Sequence, residues 1–276
     1  MSAPGDRLAG RLAVLGAGKM GSTLVRALLA AQRLRPDQIV ATTRHAVSAE
    51  ETARRLGVAV GADNLAAIRG ADLVLVAVKP QALAEVLAEI GGALSRGQLV
   101  VSIVASATTE FIERRLPGEV AVVRAMPNTP SQIGAGMTVL CAGTHASAAD
   151  LERARAIFDA VGRTLVLDEK HMDAVTALSA SGPAFVYVVL ESLAEGGVKV
   201  GLPRQIATEL AAQTALGAAK MVLETGEHPA LLKDAVTTPA GCTIDGLLQL
   251  EEGGLRVTLI KAVVEATRRA TQLISS

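Results

Sequence analysis

The sequence predicts an α/β protein in which an N-terminal Rossmann-type doubly wound sheet is followed by an all-α C-terminal domain. Three observations predict this fold. Short apolar segments alternate with helical segments through the first half, a glycine-rich turn joins the first strand to the first helix, and helical periodicity dominates from residue 169 onward. We therefore expect a first domain over residues 1–167 and a helical domain over residues 168–276.

Composition argues against nucleic-acid and membrane partners. The chain has 27 Lys plus Arg and 27 Asp plus Glu, so no overall charge attracts nucleic acid or an anionic membrane. The longest apolar runs, such as residues 184–190, are too short to cross a bilayer. The two cysteines, Cys141 and Cys242, are far apart and no secretory signal is evident, so we expect a reduced, cytoplasmic protein.

The strands and helices of the first half follow from apolar periodicity. Strands are predicted at residues 11–15, 38–42, 71–80, 98–106 and 119–130. Helices are predicted at residues 22–31, 48–56, 80–90 and 108–115, and a looser set, GMTVLCAG, a helix near 147–160 and RTLVLD, closes this half. Strand, crossover helix, strand is the order of a doubly wound parallel sheet, whose ligands lie beyond the carboxyl ends of the strands.

The glycine-rich turn follows the first predicted strand and opens a helix, which is the context that makes GxGxxG informative. Gly16 permits a tight turn, Gly18 lets the backbone approach a pyrophosphate, and Gly21 allows close helix packing. The helix N-terminus then presents free amides to the phosphates. We expect dinucleotide binding here; a merely structural turn is the alternative.

The end of the second strand indicates which dinucleotide binds. An NAD-binding protein places an Asp or Glu about 20 residues past the glycines, where it binds the ribose hydroxyls. This chain has Thr42, Thr43 and Arg44 there. Two hydroxyls and a guanidinium suit a 2′-phosphate, which a carboxylate would repel. NADPH is therefore the expected cofactor and NADH the second choice; the alternative for Arg44 is an ordinary solvated loop residue.

The second half is predicted to be helical and oligomeric. Residues 206–226 form one helical pattern that ends on Gly226, and residues 256–274 form another with charges at steps of four. Several helices are Ala-rich and apolar on more than one face, which predicts packing against a second chain. We expect at least a dimer.

No metal or nucleophile site is predicted. His45, His145, His171 and His228 share no ligand spacing with one another or with the cysteines, and neither HExxH nor GxSxG occurs. Each histidine is interpreted as a surface or helix-end residue.

A family resemblance is carried by AVKP at 77–80, RAMPNTP at 124–130, VTALSASGPAFVYV at 175–188 and DAVTTPAGCTIDGLLQLEEGGLR at 234–256. With these motifs the chain resembles the pyrroline-5-carboxylate reductases over nearly its whole length, and the last motif is the most specific. The resemblance implies the final step of proline biosynthesis, in which NAD(P)H transfers hydride to the C=N bond of 1-pyrroline-5-carboxylate to give L-proline. It also implies an interlocking helical dimerisation domain and further assembly of dimers into a decamer.

The turn TTPAGCT interrupts helix-forming sequence, and the expected substrate accounts for it. 1-Pyrroline-5-carboxylate is a small ring with one carboxylate and one imine, so its site needs anion-binding donors. The backbone N–H groups of Gly241, Cys242 and Thr243, together with the Thr238 hydroxyl, form a carboxylate cradle where the next helix begins. The alternative is a plain connection between helices with Thr243 as N-cap.

The resemblance also implies roles for individual residues. The Thr243 hydroxyl hydrogen-bonds and orients the ring nitrogen, and Glu169 supplies a carboxylate near the substrate. A protonated imine is already electrophilic, so the lack of a catalytic histidine is no objection. The cofactor residues carried over are Gly16, Ala17, Gly18, Lys19, Met20, Gly21, Thr43, Arg44, Asn64, Ala77, Val78, Lys79, Pro80, Ile103, Val104 and Ala105.

Two motifs depart from the family pattern, and two other functions are weighed against this one. SGSGPAY is replaced by SASGPAF, with Ala180 and Phe185, and PGGTT by PAGCT, with Ala240 and Cys242. A β-hydroxyacid dehydrogenase requires a catalytic Lys shortly after the central glycine motif, where this chain has PAFVY at 183–187. A non-catalytic NADPH-sensing regulator requires a decayed substrate turn, whereas TTPAGCT is intact.

Overall fold

The structure is a computed structural model that describes residues 8–274, within which eight strands form one sheet of order β3-β2-β1-β4-β5-β6-β7-β8. The strands are β1 (Leu12–Leu15), β2 (Ile39–Thr42), β3 (Ala59–Gly61), β4 (Leu73–Val76), β5 (Leu99–Ser102), β6 (Ala121–Met126), β7 (Gly136–Ala142) and β8 (Gly162–Val166). The helices are α1 (Lys19–Ala30), α2 (Ala49–Leu56), α3 (Asn64–Ile68), α4 (Pro80–Gly91), α5 (Thr109–Glu113), α6 (Ala148–Phe158), α7 (Met172–Val175), α8 (Gly182–Lys199), α9 (Arg204–Thr225), α10 (Pro229–Ala235), α11 (Cys242–Glu252) and α12 (Leu255–Ile274).

The first six strands confirm the predicted doubly wound sheet. β1 pairs in parallel with both β2 and β4, and the parallel run continues through β3, β5 and β6. β7 runs antiparallel to β6, and β8 is parallel to β7. Only a short connection that contains the 3₁₀ turn Thr129–Ile133 joins β6 to β7, and a parallel strand would need a longer crossover. The closing strands therefore make the sheet mixed rather than wholly parallel.

Two short elements escape the sequence analysis. β3 has three residues, and α3 has five, little more than one helical turn. β3 exists because it pairs with β2, and α3 begins where the Asp63 side chain accepts the Ala66 N–H at 2.9 Å. Periodicity needs longer segments than these, so only the packed structure reveals them.

The core of the sheet consists of two apolar layers, one on each face. Successive side chains of a strand point to opposite faces, so Leu12 and Val14 of β1 enter one layer and Ala13 and Leu15 enter the other. Helices α1 and α6 contribute to the first layer, and α4 contributes to the second. Burial on both faces explains why the central strands read as continuous apolar runs.

Two compact units divide the described residues. One extends to Ala180 and resumes at Ala266, and the other is Ser181–Glu265. The residues just after 167 stay with the sheet because Met172 packs against Met126 in a small buried cluster. The domain boundary expected between residues 167 and 168 stays a prediction.

The second unit is helical, as the sequence predicts. α8 packs against α9 through the small side chains Ala194, Ala207 and Ala211, and α9 ends where Gly226 adopts a left-handed φ of 70°. Many large apolar residues of these helices are exposed in the single chain. They include Leu210, Leu216, Leu223, Leu248, Ile260 and Val264.

One helical stretch among residues 8–274, Glu169–Lys199, is long and apolar enough to cross a membrane by length and composition. The same apolar surface also suits contact with a second protein chain.

Candidate functional site

The glycine-rich turn has the geometry that its sequence predicts. Gly16 follows β1 with a φ of 101°, and α1 begins at Lys19 with Gly18 as its N-cap. A Cβ on Gly16 would lie 2.8 Å from the Ala77 carbonyl oxygen, and one on Gly21 only 2.3 Å from the Gly16 oxygen. A Cβ on Gly18 would meet no atom within 4 Å. The fold therefore requires Gly16 and Gly21, whereas Gly18 leaves open space at the helix N-terminus, as a pyrophosphate needs.

The strand ends bring the other predicted cofactor segments to the same edge of the sheet. The Ala77 N–H donates to the Leu15 carbonyl at 2.8 Å, and the Ile103 N–H donates to the Val76 carbonyl at 3.0 Å. These bonds continue the parallel ladder past β4 and β5. Residues 77–80 and 103–105 therefore follow the strands at their carboxyl ends, where doubly wound sheets bind ligands.

Thr43 and Arg44 directly follow β2. The Thr43 N–H donates to the Gly61 carbonyl at 2.9 Å, and its hydroxyl donates to the His45 carbonyl at 3.1 Å. Arg44 is exposed, so its guanidinium is accessible to a ligand. The place where an NAD-binding protein carries a carboxylate thus holds a hydroxyl and a cation.

Asn64 belongs to a chain of hydrogen bonds that starts at the glycine loop. The buried Thr42 hydroxyl oxygen accepts the Gly16 N–H at 3.3 Å and donates to Asn64 Oδ1 at 2.8 Å. Asn64 Nδ2 donates to Glu89 Oε2, on α4, at 2.7 Å. The predicted cofactor residue Asn64 is therefore held from two sides.

Glu169 is engaged by residues of the sheet unit. Its Oε1 accepts the Thr109 N–H at 2.8 Å and Arg124 Nη1 at 3.0 Å, and its Oε2 accepts the Thr109 hydroxyl at 2.5 Å. Arg124 is 1% exposed, and a cation so deeply buried needs a paired carboxylate. These contacts give Glu169 a structural role, and its contact with a substrate stays a prediction.

The TTPAGCT segment forms a tight turn. Pro239 follows Thr238, Ala240 has a φ of 58°, and the Gly241 N–H donates to the Thr238 carbonyl at 3.1 Å, which is the arrangement of a type II turn. The left-handed conformation costs alanine about 1–2 kcal/mol that glycine does not incur. This explains why glycine is the commoner residue at the position of Ala240 in the resembling motif.

The turn leads directly into α11. The helix begins at Cys242 with Gly241 as N-cap, so the alternative interpretation, with Thr243 as N-cap, is wrong on that point. The Gly241 N–H is used within the turn, and its substrate contact stays a prediction. The N–H groups of Cys242 and Thr243 lie in the first helical turn, where no intrahelical acceptor exists. A Cβ on Gly241 would lie 2.4 Å from the hydroxyl oxygen of Thr238, so this hydroxyl also lies at the helix start.

The two cysteines are free thiols in opposite environments. Burial, followed by the negative charge of Glu169, raises the pKa of the Cys141 thiol to about 12. Cys141 is therefore protonated and unreactive at neutral pH. Cys242 is exposed at the first residue of α11.

Metal ligation has no candidate among residues 8–274, since no three His, Cys, Asp or Glu side chains are grouped to hold an ion. His228 instead caps α10, where its Nδ1 accepts the Ala230 N–H at 3.2 Å. This matches its interpretation as a helix-end residue.

Sequence reasoning missed three polar residues that organise these sites. Arg124 stands inside the apolar strand AVVRAM, and a lone charge in a buried strand is a signal that a partner exists. Thr42 is predicted only as one of two phosphate-binding hydroxyls, whereas in the structure its hydroxyl bonds Gly16 and Asn64. Glu89 has no sequence signal, because its partner Asn64 is 25 residues away and no local pattern relates the two.

Comparisons with known proteins also divide the chain into two parts. A family model described as pyrroline-5-carboxylate reductase dimerisation matches residues 169–273. A second model, described as NADP oxidoreductase coenzyme F420-dependent, matches residues 11–106.

Relatives and solved structures match over nearly the full length. A pyrroline-5-carboxylate reductase from Synechocystis is 43% identical over 263 residues, which cover 95% of this chain and 98% of the relative. The structure of a pyrroline-5-carboxylate reductase from Coxiella burnetii matches with a TM-score of 0.90 and 35% identity, covering 96% of this chain and 98% of that one. The Plasmodium falciparum pyrroline carboxylate reductase with NADP bound matches with a TM-score of 0.86 and 30% identity, covering 97% and 99%.

Proposed function

Because the chain belongs to the pyrroline-5-carboxylate reductase family, we propose that it reduces the C=N bond of 1-pyrroline-5-carboxylate to give L-proline, with NADPH as hydride donor. The observation that carries the proposal is the turn before α11. It leaves the N–H groups of Cys242 and Thr243 and the hydroxyl of Thr238 at one helix N-terminus, which suits a small carboxylate.

The reaction makes modest chemical demands on the protein. Protonation of the imine nitrogen makes the adjacent carbon electrophilic, and the reduced nicotinamide supplies the hydride. We assign the substrate carboxylate to the N–H groups of Cys242 and Thr243 and to the Thr238 hydroxyl. The Thr243 hydroxyl then hydrogen-bonds the ring nitrogen and orients it, and it relays to that nitrogen a proton that a water molecule supplies, so the hydroxyl itself stays protonated. The protein accelerates the reaction mainly by aligning the imine carbon with the nicotinamide and by excluding bulk water from the site.

NADPH is the proposed donor because the end of β2 suits a 2′-phosphate. Thr43 and Arg44 stand there, and the open space at Gly18 fits a pyrophosphate at the N-terminus of α1. The relative from Plasmodium falciparum is described with NADP bound, which supports the same choice. Asn64 and residues 77–80 and 103–105 complete the proposed cofactor site, and NADH is the second choice.

The working form is proposed to be a homodimer in the cytoplasm, with dimers assembling into a decamer. The match of residues 169–273 to a dimerisation family supports a second copy as the cover for the exposed apolar helix faces. Contact with that copy also accounts for the apolar stretch Glu169–Lys199 without a membrane. The free thiols of Cys141 and Cys242 suit a reducing compartment.

The function is tested by following NADPH absorbance with 1-pyrroline-5-carboxylate and, separately, with a 3-keto acid. We expect turnover only with the cyclic imine. Thr243→Ala should lower kcat/KM by roughly tenfold or more, because a charge-assisted hydrogen bond is worth about 1.5–3 kcal/mol. Thr237→Ala is the matched control, since its hydroxyl is bonded to the Lys233 carbonyl at 2.8 Å.

Three outcomes would contradict the proposal. Wild-type activity in Thr243→Ala would remove Thr243 from its role. Turnover of the 3-keto acid alone would favour the β-hydroxyacid dehydrogenase alternative. NADPH binding without turnover of either compound would favour the non-catalytic regulator.

A further inference from the structure

Thr42 holds the glycine loop at two consecutive N–H groups. Its hydroxyl oxygen accepts the Gly16 N–H at 3.3 Å, and its carbonyl accepts the Ala17 N–H at 2.7 Å. The residue is 3% exposed and ends β2, so its side chain has a fixed position in the packed sheet. The loop that faces the pyrophosphate in the proposed function is thus anchored to the strand that precedes the ribose-binding residues.

The two ends of the hydrogen-bonded chain fix its direction. The Gly16 N–H can only donate, and the Glu89 carboxylate can only accept. The Thr42 hydroxyl has one proton, so it accepts from Gly16 and must donate to Asn64. The Asn64 amide therefore turns its oxygen toward Thr42 and its nitrogen toward Glu89.

This direction determines what Asn64 offers to a ligand. Its oxygen and one N–H are used by Thr42 and Glu89, and the second amide N–H has no acceptor within residues 8–274. An amide N–H suits an oxygen of a ribose or of its 2′-phosphate. The opposite orientation would present the amide oxygen, which a phosphate repels.

We propose that Thr42 is a positioning residue for the cofactor: its hydroxyl fixes both the glycine loop and the orientation of the Asn64 amide. This inference rests on the proposed function, since it assigns the cofactor site to NADPH. Thr42 acts through Gly16 and Asn64 and does not touch the reacting atoms. It should therefore affect cofactor binding and leave the chemical step unchanged.

The test is direct titration of the full chain with NADPH, followed by nucleotide fluorescence. Thr42→Val keeps the shape of the side chain and removes the hydroxyl, which leaves the Gly16 N–H and the Asn64 oxygen without this partner. We expect its Kd for NADPH to rise by about tenfold. The KM for NADPH should rise in parallel, while the KM for the cyclic imine and kcat at saturating NADPH stay unchanged. Thr42→Ser, which retains the hydroxyl, should restore the Kd to within about threefold.

Thr138→Val is the matched control. Thr138 is also a buried strand threonine of the same sheet, but its hydroxyl has no hydrogen-bond partner among the described residues. Its Kd for NADPH should equal that of the wild type. Thermal unfolding of each variant shows whether the fold is retained.

A second pair of variants covers the case in which Thr42→Val does not fold. Glu89 is exposed on α4, so its substitution leaves the core intact. Glu89→Ala frees the nitrogen end of the Asn64 amide and should raise the Kd for NADPH by about threefold. Glu89→Gln removes the charge but keeps an acceptor oxygen, so it should bind NADPH as the wild type does.

Wild-type affinity in Thr42→Val, or an equal loss in Thr42→Ser, would overturn the inference, because the hydroxyl would then not be responsible. Equal behaviour of Glu89→Ala and Glu89→Gln would overturn it as well. If the wild-type chain binds no NADPH, the proposed function itself fails and the inference falls with it. The wild-type titration therefore distinguishes the two failures.

Discussion

Arg44 is the residue on which the preference for NADPH over NADH is expected to depend. It is exposed directly after Thr43 at the end of β2. A guanidinium is permanently charged and matches phosphate geometry with paired donors, whereas a ribose hydroxyl gains little from it. The side chain therefore distinguishes the two cofactors by the one group in which they differ.

Arg44→Asp should raise the KM for NADPH by roughly tenfold to a hundredfold, because attraction to the 2′-phosphate becomes repulsion. The KM for NADH should stay within about threefold, since an acidic residue there binds ribose hydroxyls. Arg163→Asp, the same charge change on β8 at the opposite edge of the sheet, is the control. An equal loss for both cofactors would show that Arg44 does not contact the phosphate.

Glu169 has an observed structural role, the ion pair with Arg124, and a predicted role in substrate binding. Its pairing with the buried Arg124 means that removal of the carboxylate leaves an uncompensated charge in the core, which costs about 3–5 kcal/mol. A Glu169 variant that loses activity would therefore report stability as well as substrate binding. Unfolding and kinetics must be measured together before the predicted substrate contact is accepted.

At the scale of elements, the glycines of the turn between β1 and α1 have two different roles: the fold requires two of them, and the third faces the proposed ligand. A methyl group on Gly21 would overlap the Gly16 carbonyl, whereas one on Gly18 enters open space. The consensus spacing GxGxxG does not by itself reveal this difference, because the three glycines look alike in sequence.

Gly21→Ala should lower the free energy of unfolding by about 1–3 kcal/mol, because the backbone must shift to relieve the overlap. The free energy of unfolding of Gly18→Ala should lie within about 0.5 kcal/mol of the wild-type value. Its affinity for NADPH should nevertheless be roughly tenfold lower, since the methyl group occupies space for the pyrophosphate. Denaturant unfolding and NADPH titration of both variants check this. Wild-type affinity in a folded Gly18→Ala protein would exclude a pyrophosphate at this turn.

The turn before α11 is strained where the chain departs from its family motif. Ala240 occupies a left-handed position that favours glycine, while the hydrogen bond from Gly241 to Thr238 keeps the turn closed. The turn geometry thus survives the departure, because proline, the closing hydrogen bond and the helix start still define it. The amides of Cys242 and Thr243 remain at the helix N-terminus.

At the scale of the whole molecule, the second unit exposes apolar helix faces that suit contact with a second chain. Large side chains such as Leu216, Ile260 and Val264 are more than half exposed in the single chain. Burial of one such side chain is worth about 1.5–3 kcal/mol, so burial of several of them together would stabilise the proposed dimer.

Leu216→Asp should weaken the assembly and lower the melting temperature, because a carboxylate would be buried in an apolar contact. Sedimentation velocity across a range of protein concentrations measures the change. Ile133→Asp, an equally drastic change at an exposed residue of the sheet unit, is the control and should leave the oligomeric state unchanged. A wild-type chain that sediments as a monomer at all concentrations, with full activity, would contradict the proposed dimer.

Sequence alone determined the features that depend on contiguous residues. Apolar runs located five of the first six strands of the sheet and the two closing strands, glycine and proline located the tight turns, and helical periodicity located the second unit. The glycine loop and the turn at residues 238–243 could be identified because their chemistry is carried by neighbouring positions in the chain.

The tertiary structure alone decided the features that depend on distant residues. The antiparallel direction of β7, the short strand β3, and the bonds of Asn64 to Glu89 and of Glu169 to Thr109 arise from contacts between segments. The last two join residues 25 and 60 positions apart. No local periodicity records such a partner, because it is set by how strands and helices pack against one another rather than by the conformational preference of any one segment.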